Sequence, residues 1–418
     1  TSKTLGIVLW ILTELAIMAT DIAEVIGGAI ALYLLFHIPL GLAVFITVFD
    51  VLLLLLLTKI GFRKIEAVVA LIVVIFVIFA YQVALSNPVW GDVIKGLVPS
   101  AEAFSTSHAV NGQTPLTGAL GIIGATVMPH NLYLHSSVVQ SRKIDRKDKT
   151  DIQRALRFST WDSNIQLTMA FFVNSLLLIM GVAVFKSGSV KDPSFFGLFD
   201  ALSNPAVMSN SILAHIAGSG ILSILFAVAL LASGQNSTIT GTLTGQIIME
   251  GFIHMRVPIW LRRMVTRLLS VIPVLICVLM TSGKSTVEEH IAINNLMNNS
   301  QVFLAFALPF SMLPLLMFTD SRVEMGEHFK NSWLIKLLGW VSVIGLIYLN
   351  MKGLPDQIEG FFGDNPTASQ ITLADNIAYV IIALVILLLV WTVVELYKGD
   401  KRYAQQLAAM EQQVEEVK

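Results

Sequence analysis

Residues 124–135 of this chain read Gly-Ala-Thr-Val-Met-Pro-His-Asn-Leu-Tyr-Leu-His, in the middle of an apolar segment from Leu116 to Val139. This segment is long enough to cross a bilayer, which takes about 20 helical residues. Pro129 has no N–H, so it cannot donate a hydrogen bond to the carbonyl of Ala125, four residues earlier. Lipid offers that carbonyl no partner, so we expect it to face protein, water or an ion.

The side chains around this proline include types that bind transition metals. Met128 supplies a soft thioether beside the carbonyl of Ala125, and the imidazoles of His130 and His135 follow. Magnesium and calcium take oxygen ligands and would not favour the sulfur. The alternative is a kinked membrane helix in which Met128 only packs. Taken alone, the stretch favours that alternative, because proline and methionine are common in membrane helices.

The composition is that of an integral membrane protein. Of the 418 residues, 55% are hydrophobic and 13% are charged, about half the charged share of a soluble domain. The mean hydropathy is +0.75. A net charge of -1 gives no indication of a nucleic-acid partner. We therefore predict an all-α membrane protein that is surrounded by the lipid bilayer and binds no nucleic acid.

Ten segments have the length and composition to span the bilayer, and their connections divide the basic residues unevenly. With alternating crossings, only five of the 27 Lys and Arg residues fall on one side. The opposite side is therefore cytoplasmic and holds both termini. We predict one transmembrane domain over residues 1–397 and a cytoplasmic C-terminal tail over residues 398–418. The predicted spans are Leu5–Phe36, Leu40–Leu57, Ala67–Leu85, Leu116–Val139, Ile165–Phe185, Ile212–Phe252, Val265–Met280, Val302–Phe318, Leu334–Asn350 and Ile371–Leu396.

Three carboxylates interrupt the first apolar segment. Glu14, Asp21 and Glu24 are spaced by seven and then three residues, which places them on one narrow face of a helix. Each charged carboxylate at the bilayer centre costs about 2.5–3.5 kcal/mol, so the three require partners or water. Such a stripe suits proton or water conduction, and the alternative is a structural ion-pair network. The expected partners are three arginines near the start of the seventh segment: Arg262, Arg263 and Arg267.

Polar residues also mark the sixth and eighth segments. Residues 233–246 are rich in Ser, Thr and Gly, with two glycines at a spacing that predicts close helix packing. The eighth segment opens with Asn-Asn-Ser-Gln at residues 298–301 and contains two prolines. Gln301 is either a polar ligand near a second irregular helix or a helix-end residue that faces water, and the sequence favours neither.

Four of these motifs occur in an order that resembles the natural resistance-associated macrophage protein family of proton-coupled divalent metal transporters. They are residues 20–27, residues 125–130 with His135, residues 233–252 and the pair Arg262-Arg263. The chain is similar to this family over nearly its whole length and looks bacterial. The resemblance implies a leucine-transporter-like fold of two inverted repeats, with family helices 3 onward as the ten spans of this chain.

The resemblance also implies the function. It implies secondary active transport of divalent transition-metal ions, Mn²⁺ first and also ions such as Fe²⁺ and Cd²⁺, into the cytoplasm with protons. The transporter would be a cell-membrane protein without enzymatic activity or a prosthetic group, and this fold needs no second chain, so we expect a monomer. The implied metal ligands are Met128, Ala125 and Gln301. The implied proton pathway comprises His130, His135, Glu14, Asp21, Glu24, Arg262 and Arg263.

Three alternatives accompany this prediction. The Asp-Pro-Gly-Asn motif that supplies a carboxylate and an amide to the family's metal site does not occur in the sequence. We therefore expect that the family's first two helices are either deleted or lie outside the given sequence, and a truncated, transport-inactive form with an incomplete site is one alternative. A membrane metalloenzyme using His130 and His135 is disfavoured, because residues five apart lie about 140° apart around a helix. Transport of magnesium or an amino acid is disfavoured because Met128 suits neither.

Overall fold

The computed structural model describes residues 2–49, 83, 88–107, 113–140, 144–145, 148–186, 192, 194–205, 215, 217–254, 257–362 and 366–416. Within these residues the regular structure is almost entirely helical, which confirms the predicted all-α class. Seven of the described helices are long and apolar enough to cross a membrane: α1, α6, α8, α9, α10, α12 and α13. The helices are α1 (Lys3–Phe36), α2 (Leu40–Thr47), α3 (Trp90–Gly96), α4 (Pro115–Val127), α5 (Pro129–Val139), α6 (Lys149–Lys186), α7 (Phe195–Ser203), α8 (Ile221–Ile253), α9 (Ile259–Thr281), α10 (Thr286–Asp320), α11 (Arg322–Phe329), α12 (Trp333–Gly360) and α13 (Ala368–Glu416).

Helix α1 lies at the centre of the bundle. It contacts α2, α8, α9 and α10. Val25, Ile26 and Ile30 in its second half belong to the main hydrophobic core, which these neighbours complete. Leu5 and Leu9 in its first half pack into a second core with α10, α12 and α13. Because α1 packs against four helices, polar side chains on its buried face can reach protein partners.

The segment around Met128 is a broken helix. Helix α4 begins at Pro115 and ends at Val127. Thr114 caps its start, because the Thr114 side chain accepts a hydrogen bond from the N–H of Thr117. Helix α5 begins at Pro129. Met128 between them has φ 29° and ψ 110°, a backbone conformation that residues with side chains rarely adopt. The irregularity predicted from the proline is therefore a full interruption of the helix.

Seven of the ten predicted spans correspond to the seven long helices. Of the other three, Leu116–Val139 is the broken pair α4 and α5. Leu40–Leu57 begins with α2 and runs beyond the described residues after residue 49, and Ala67–Leu85 lies outside them except for Val83. The predicted opening of the eighth span at residues 298–301 was wrong, because α10 begins at Thr286. Hydropathy missed its first four turns because they are polar. Helix α13 continues unbroken past residue 398, where the tail was predicted to begin.

A histidine ties the start of α10 to the segment before α7. Nδ1 of His290 donates a hydrogen bond to Oδ2 of Asp192 across 2.8 Å, and its ring stacks on Phe196 with the ring centroids 3.6 Å apart. Burial raises the pKa of Asp192, but the hydrogen bonds from His290 and Ser194 outweigh it. The pKa of Asp192 therefore lies below its ordinary value of 3.8. A carboxyl group with a lowered pKa stabilises the folded state only while it is ionised.

We expect Asp192→Asn to lower the stability of the protein near neutral pH and to have no effect in strong acid. The carboxylate contributes fully at pH values above 3.8, and its contribution is lost as the pH falls through the lower folded-state pKa. Thermal unfolding of the detergent-solubilised protein should show a melting temperature about 2 °C lower for the variant at pH 7. The difference from wild type should shrink as the pH falls below 3.8.

The matched control is Asp92→Asn, which removes an exposed carboxylate from a pair with Lys95. This variant should melt like wild type across the same pH range. A difference between D192N and wild type that stays constant from pH 7 to pH 3 would contradict the role given to the ionised carboxylate.

Candidate metal-binding cavity and ion-pair network

The broken helix opens onto a cavity of about 600 Å³. Ala125 and Met128 line it from α4 and from the break. Gln301 lines it from α10, and Glu24 lines it from α1. The three residues that the family resemblance implies as metal ligands therefore border the same space. A carboxylate of the implied proton pathway borders it as well.

Backbone and side-chain contacts fix the position of the Met128 thioether. The N–H of Met128 donates to the carbonyl of Gly124 at 3.3 Å, and its carbonyl accepts the N–H of Asn131 at 3.1 Å. Nδ2 of Asn131 also lies 3.6 Å from Sδ of Met128. The polar groups on both sides of the break are thus held, while Pro129 has no N–H to give to the carbonyl of Ala125.

Gln301 lies in the middle of α10 and only 8% of its surface is exposed. The interpretation of this residue as a water-facing helix end was therefore wrong. Its Nε2 donates to Oγ of Ser300 at 3.1 Å. Its backbone carbonyl lies so close to Gly124 that a Cβ atom there would overlap it, so α4 and α10 touch through their backbones. No local pattern predicts this requirement for glycine, because it arises only where α4 meets α10.

Glu24 receives four hydrogen bonds from two helices. Ser237 donates to Oε1 at 2.7 Å, and Thr238 donates to Oε2 at 2.9 Å. Arg263 and Arg267 of α9 donate to the same Oε2 at 2.8 and 3.2 Å. From the sequence we expected the Ser and Thr residues of α8 to serve helix packing. The hydrogen bonds that Ser237 and Thr238 donate to Glu24 were not predicted.

The remaining carboxylates of α1 pair with the same arginine cluster. Arg263 also binds Asp21, and both side chains are 1% exposed. Arg262 binds Glu14, nearer the start of α1. Gly245 makes room for Arg262, because a Cβ at this position would overlap the guanidinium. The pairing of all three carboxylates with arginines of α9 agrees with the sequence-based expectation, and removing one partner of such a buried pair costs about 3–5 kcal/mol.

The two histidines of α5 do not share an environment. His130 is 2% exposed, whereas His135 is exposed. They therefore do not form a two-histidine metal site. Within the described residues, no group of three or more His, Cys, Asp or Glu side chains is arranged to hold a metal ion. The geometry gives the metalloenzyme alternative no support.

The sequence matches a family described as natural resistance-associated macrophage protein-like over residues 1–355. The divalent metal cation transporter MntH of Pediococcus pentosaceus is 55% identical over 352 residues, which cover 84% of this chain and 75% of that protein. The protein of the same name from Levilactobacillus brevis is 52% identical over 84% of this chain and 72% of its own length.

The structure resembles the crystal structure of the Eremococcus coleocola manganese transporter in complex with an aromatic bis-isothiourea substituted compound. The two are 63% identical with a TM-score of 0.87, over 95% of this chain and 81% of that one. These comparisons do not favour the transport-inactive alternative. The match over residues 1–355 and the identity to these relatives show that the chain belongs to the natural resistance-associated macrophage protein family of membrane transporters.

Proposed function

We propose that this chain carries Mn²⁺, and related ions such as Fe²⁺ and Cd²⁺, into the cytoplasm together with protons. The observation that carries the proposal is the cavity at the helix break, which brings a thioether, an amide and a carboxylate together at the centre of the bundle. The names of the relatives, a divalent metal cation transporter and a manganese transporter, support the class of substrate.

The metal ion is the cargo, and Met128, Ala125 and Gln301 supply one side of its coordination shell. A thioether is a soft ligand that transition metals accept and that Mg²⁺ and Ca²⁺ do not favour. The carbonyl of Ala125 and the amide of Gln301 provide neutral oxygen ligands. Neutral ligands hold the ion less strongly than carboxylates would, which suits a site that must release its cargo. No prosthetic group or catalytic residue has a part in this proposal.

The protons follow the carboxylates of α1. Glu24 borders the cavity, and Asp21 and Glu14 lie progressively nearer the start of the helix, so the three span about 15 Å along its axis. Arg262 and Arg263 form ion pairs with these carboxylates. His130 and His135 belong to the proposed pathway on the other side of the cavity.

The proposed setting is the cell membrane. The chain forms one transmembrane domain over residues 1–397 with a leucine-transporter-like inverted repeat and ten spans. The excess of Lys and Arg places both termini and the tail at 398–418 in the cytoplasm. The site lies within one chain and the protein acts as a monomer, with lipid, the metal ion and protons as its partners and no nucleic acid.

We expect Met128→Ala to weaken the preference for Mn²⁺ over Ca²⁺. The variant loses the sulfur that Mn²⁺ accepts and that Ca²⁺ does not favour. The ratio of Mn²⁺ to Ca²⁺ uptake into proteoliposomes should fall by about tenfold, which corresponds to about 1.4 kcal/mol of preference. Competition of Ca²⁺ and Mg²⁺ against Mn²⁺ uptake measures this ratio directly.

Met264→Ala is the matched control, because Met264 lies on α9 with an exposed side chain. It removes a thioether from the bundle without touching the cavity and should keep the wild-type preference. Unchanged selectivity in M128A would remove Met128 from the metal site.

We expect Glu24→Gln and Asp21→Asn to separate metal uptake from proton uptake. Each amide keeps the shape of the carboxylate but cannot take up and release a proton at neutral pH. In proteoliposomes with a pH-sensitive dye inside, Mn²⁺-driven acidification should fall by about tenfold or more. Mn²⁺ binding, measured by calorimetry on the purified protein, should change little in D21N, because Asp21 does not line the cavity.

Asp92→Asn serves as the control for this experiment because Asp92 is exposed and lies far along the chain from the network. Its acidification should match wild type. Wild-type proton flux in both E24Q and D21N would favour the alternative in which the ion pairs only hold α1 and α9 together.

A further inference from the structure

Helix α10 contains a proline that leaves a backbone carbonyl without its helical donor. Pro309 has no N–H, and the carbonyl that this N–H would have bonded belongs to Ala305. Ala305 is fully buried, so solvent cannot replace the missing donor. This carbonyl lies one helical turn from Gln301, the α10 residue that borders the cavity.

Asn350 of α12 supplies the missing hydrogen bond. Its Nδ2 donates to the carbonyl of Ala305 across 2.7 Å, and the side chain is 1% exposed. Oδ1 of the same amide is buried without a hydrogen-bond partner among the described residues. An apolar side chain would avoid that unsatisfied oxygen. The hydrogen bond from Nδ2 to the carbonyl of Ala305 therefore explains why an amide stands at this position, whereas packing does not.

The same turn of α10 also contacts α4. A Cβ atom at Gly124 would overlap the carbonyl of Gln301 and would approach the backbone nitrogen of Ala305 to 2.9 Å. Helix α12 also reaches α4 directly, since a Cβ at Gly353 would lie 2.9 Å from Cδ1 of Leu120. The turn from Gln301 to Ala305 therefore lies between the helix that ends at Met128 and the helix that carries Asn350.

We propose that Asn350 is a positioning residue for metal transport: by donating to the Ala305 carbonyl that Pro309 leaves free, it holds the proline-containing turn of α10 so that Gln301 faces the cavity. The proposal rests on the proposed transport function. Asn350 acts through α10 and does not touch the metal ion. Without its donor, the turn carries an unsatisfied buried carbonyl and relieves it by shifting against α4, which moves Gln301 relative to Met128.

The test is a double-mutant cycle with N350A, P309A and the double variant, measured as the KM for Mn²⁺ uptake into proteoliposomes. Pro309→Ala gives α10 its own N–H for the Ala305 carbonyl, so it replaces the function of Asn350 by a different route. N350A should raise KM by about three- to tenfold, because the loss of one net hydrogen bond changes an equilibrium by about this factor. In the P309A background the same substitution should raise KM by less than about twofold.

Ser342→Ala provides a control on the same helix, because Ser342 is exposed and bonds only to its own helix at Leu338. It should leave KM unchanged. If N350A is not recovered from the membrane, the cycle is run with N350L, which keeps side-chain bulk but has no donor. An equal effect of the Asn350 substitution with and without Pro309, or no effect on KM at all, would overturn the proposal.

A second readout separates this proposal from the proposed function. The melting temperatures of the four purified proteins report the hydrogen bond without any transport, and rescue by P309A should appear there too. If P309A restores the melting temperature of N350A but the wild-type protein takes up no Mn²⁺, the transport function is refuted, and the positioning role with it. If P309A restores the melting temperature but N350A has the wild-type KM, Asn350 is only a structural residue, and the positioning role alone is overturned.

Discussion

A proline inside a membrane-buried helix frees one carbonyl, and the bilayer offers that carbonyl no replacement donor. The described bundle answers this constraint in two ways. Pro129 interrupts the helix fully, and Ala125 is left bordering a cavity. Pro309 leaves α10 continuous, and Asn350 donates a hydrogen bond to the carbonyl of Ala305. The broken helix, α4 and α5, touches the continuous helix α10 at Gly124. The helix break that could bind an ion therefore packs against a helix whose free carbonyl already has a donor.

Glu24 joins the cavity to the ion-pair network. Its carboxylate borders the cavity and accepts hydrogen bonds from Arg263 and Arg267, which in turn approach the neighbouring carboxylate and backbone of α1. A dication in the cavity and a proton on Glu24 would repel each other across a medium of low dielectric constant, where such repulsion is strong. In the proposed transport cycle, Glu24 is therefore the side chain at which a metal ion in the cavity and a carried proton would influence each other.

The sequence predicts the parts of this structure that depend on local pattern. Hydropathy predicts the long helices, Pro129 predicts the irregularity at Met128, and the spacing of Glu14, Asp21 and Glu24 predicts a common face that α9 arginines can reach. The sequence does not predict the role of Asn350, because its hydrogen bond to Ala305 joins residues 45 positions apart. It also misses the need for glycine at 124, which arises only when α4 meets α10. The start of α10 at Thr286 is missed because its first turns are polar and resemble a loop in sequence.

The energetics of the buried charges bear on whether the network is structural or conducts protons. Replacing a buried ion pair by apolar residues of similar size is often neutral or stabilising, so stability alone does not account for three carboxylates and three arginines at the centre of a bundle. Their arrangement is informative as well. Asp21 and Arg263 are 1% exposed, whereas the side chain of Glu14 is 18% exposed. The carboxylates thus run from the cavity at Glu24, through a closed interior, to a partly open end. The proposed proton route uses an acidic residue at each of these depths, and the ion-pair alternative uses the same residues to hold α1 against α9.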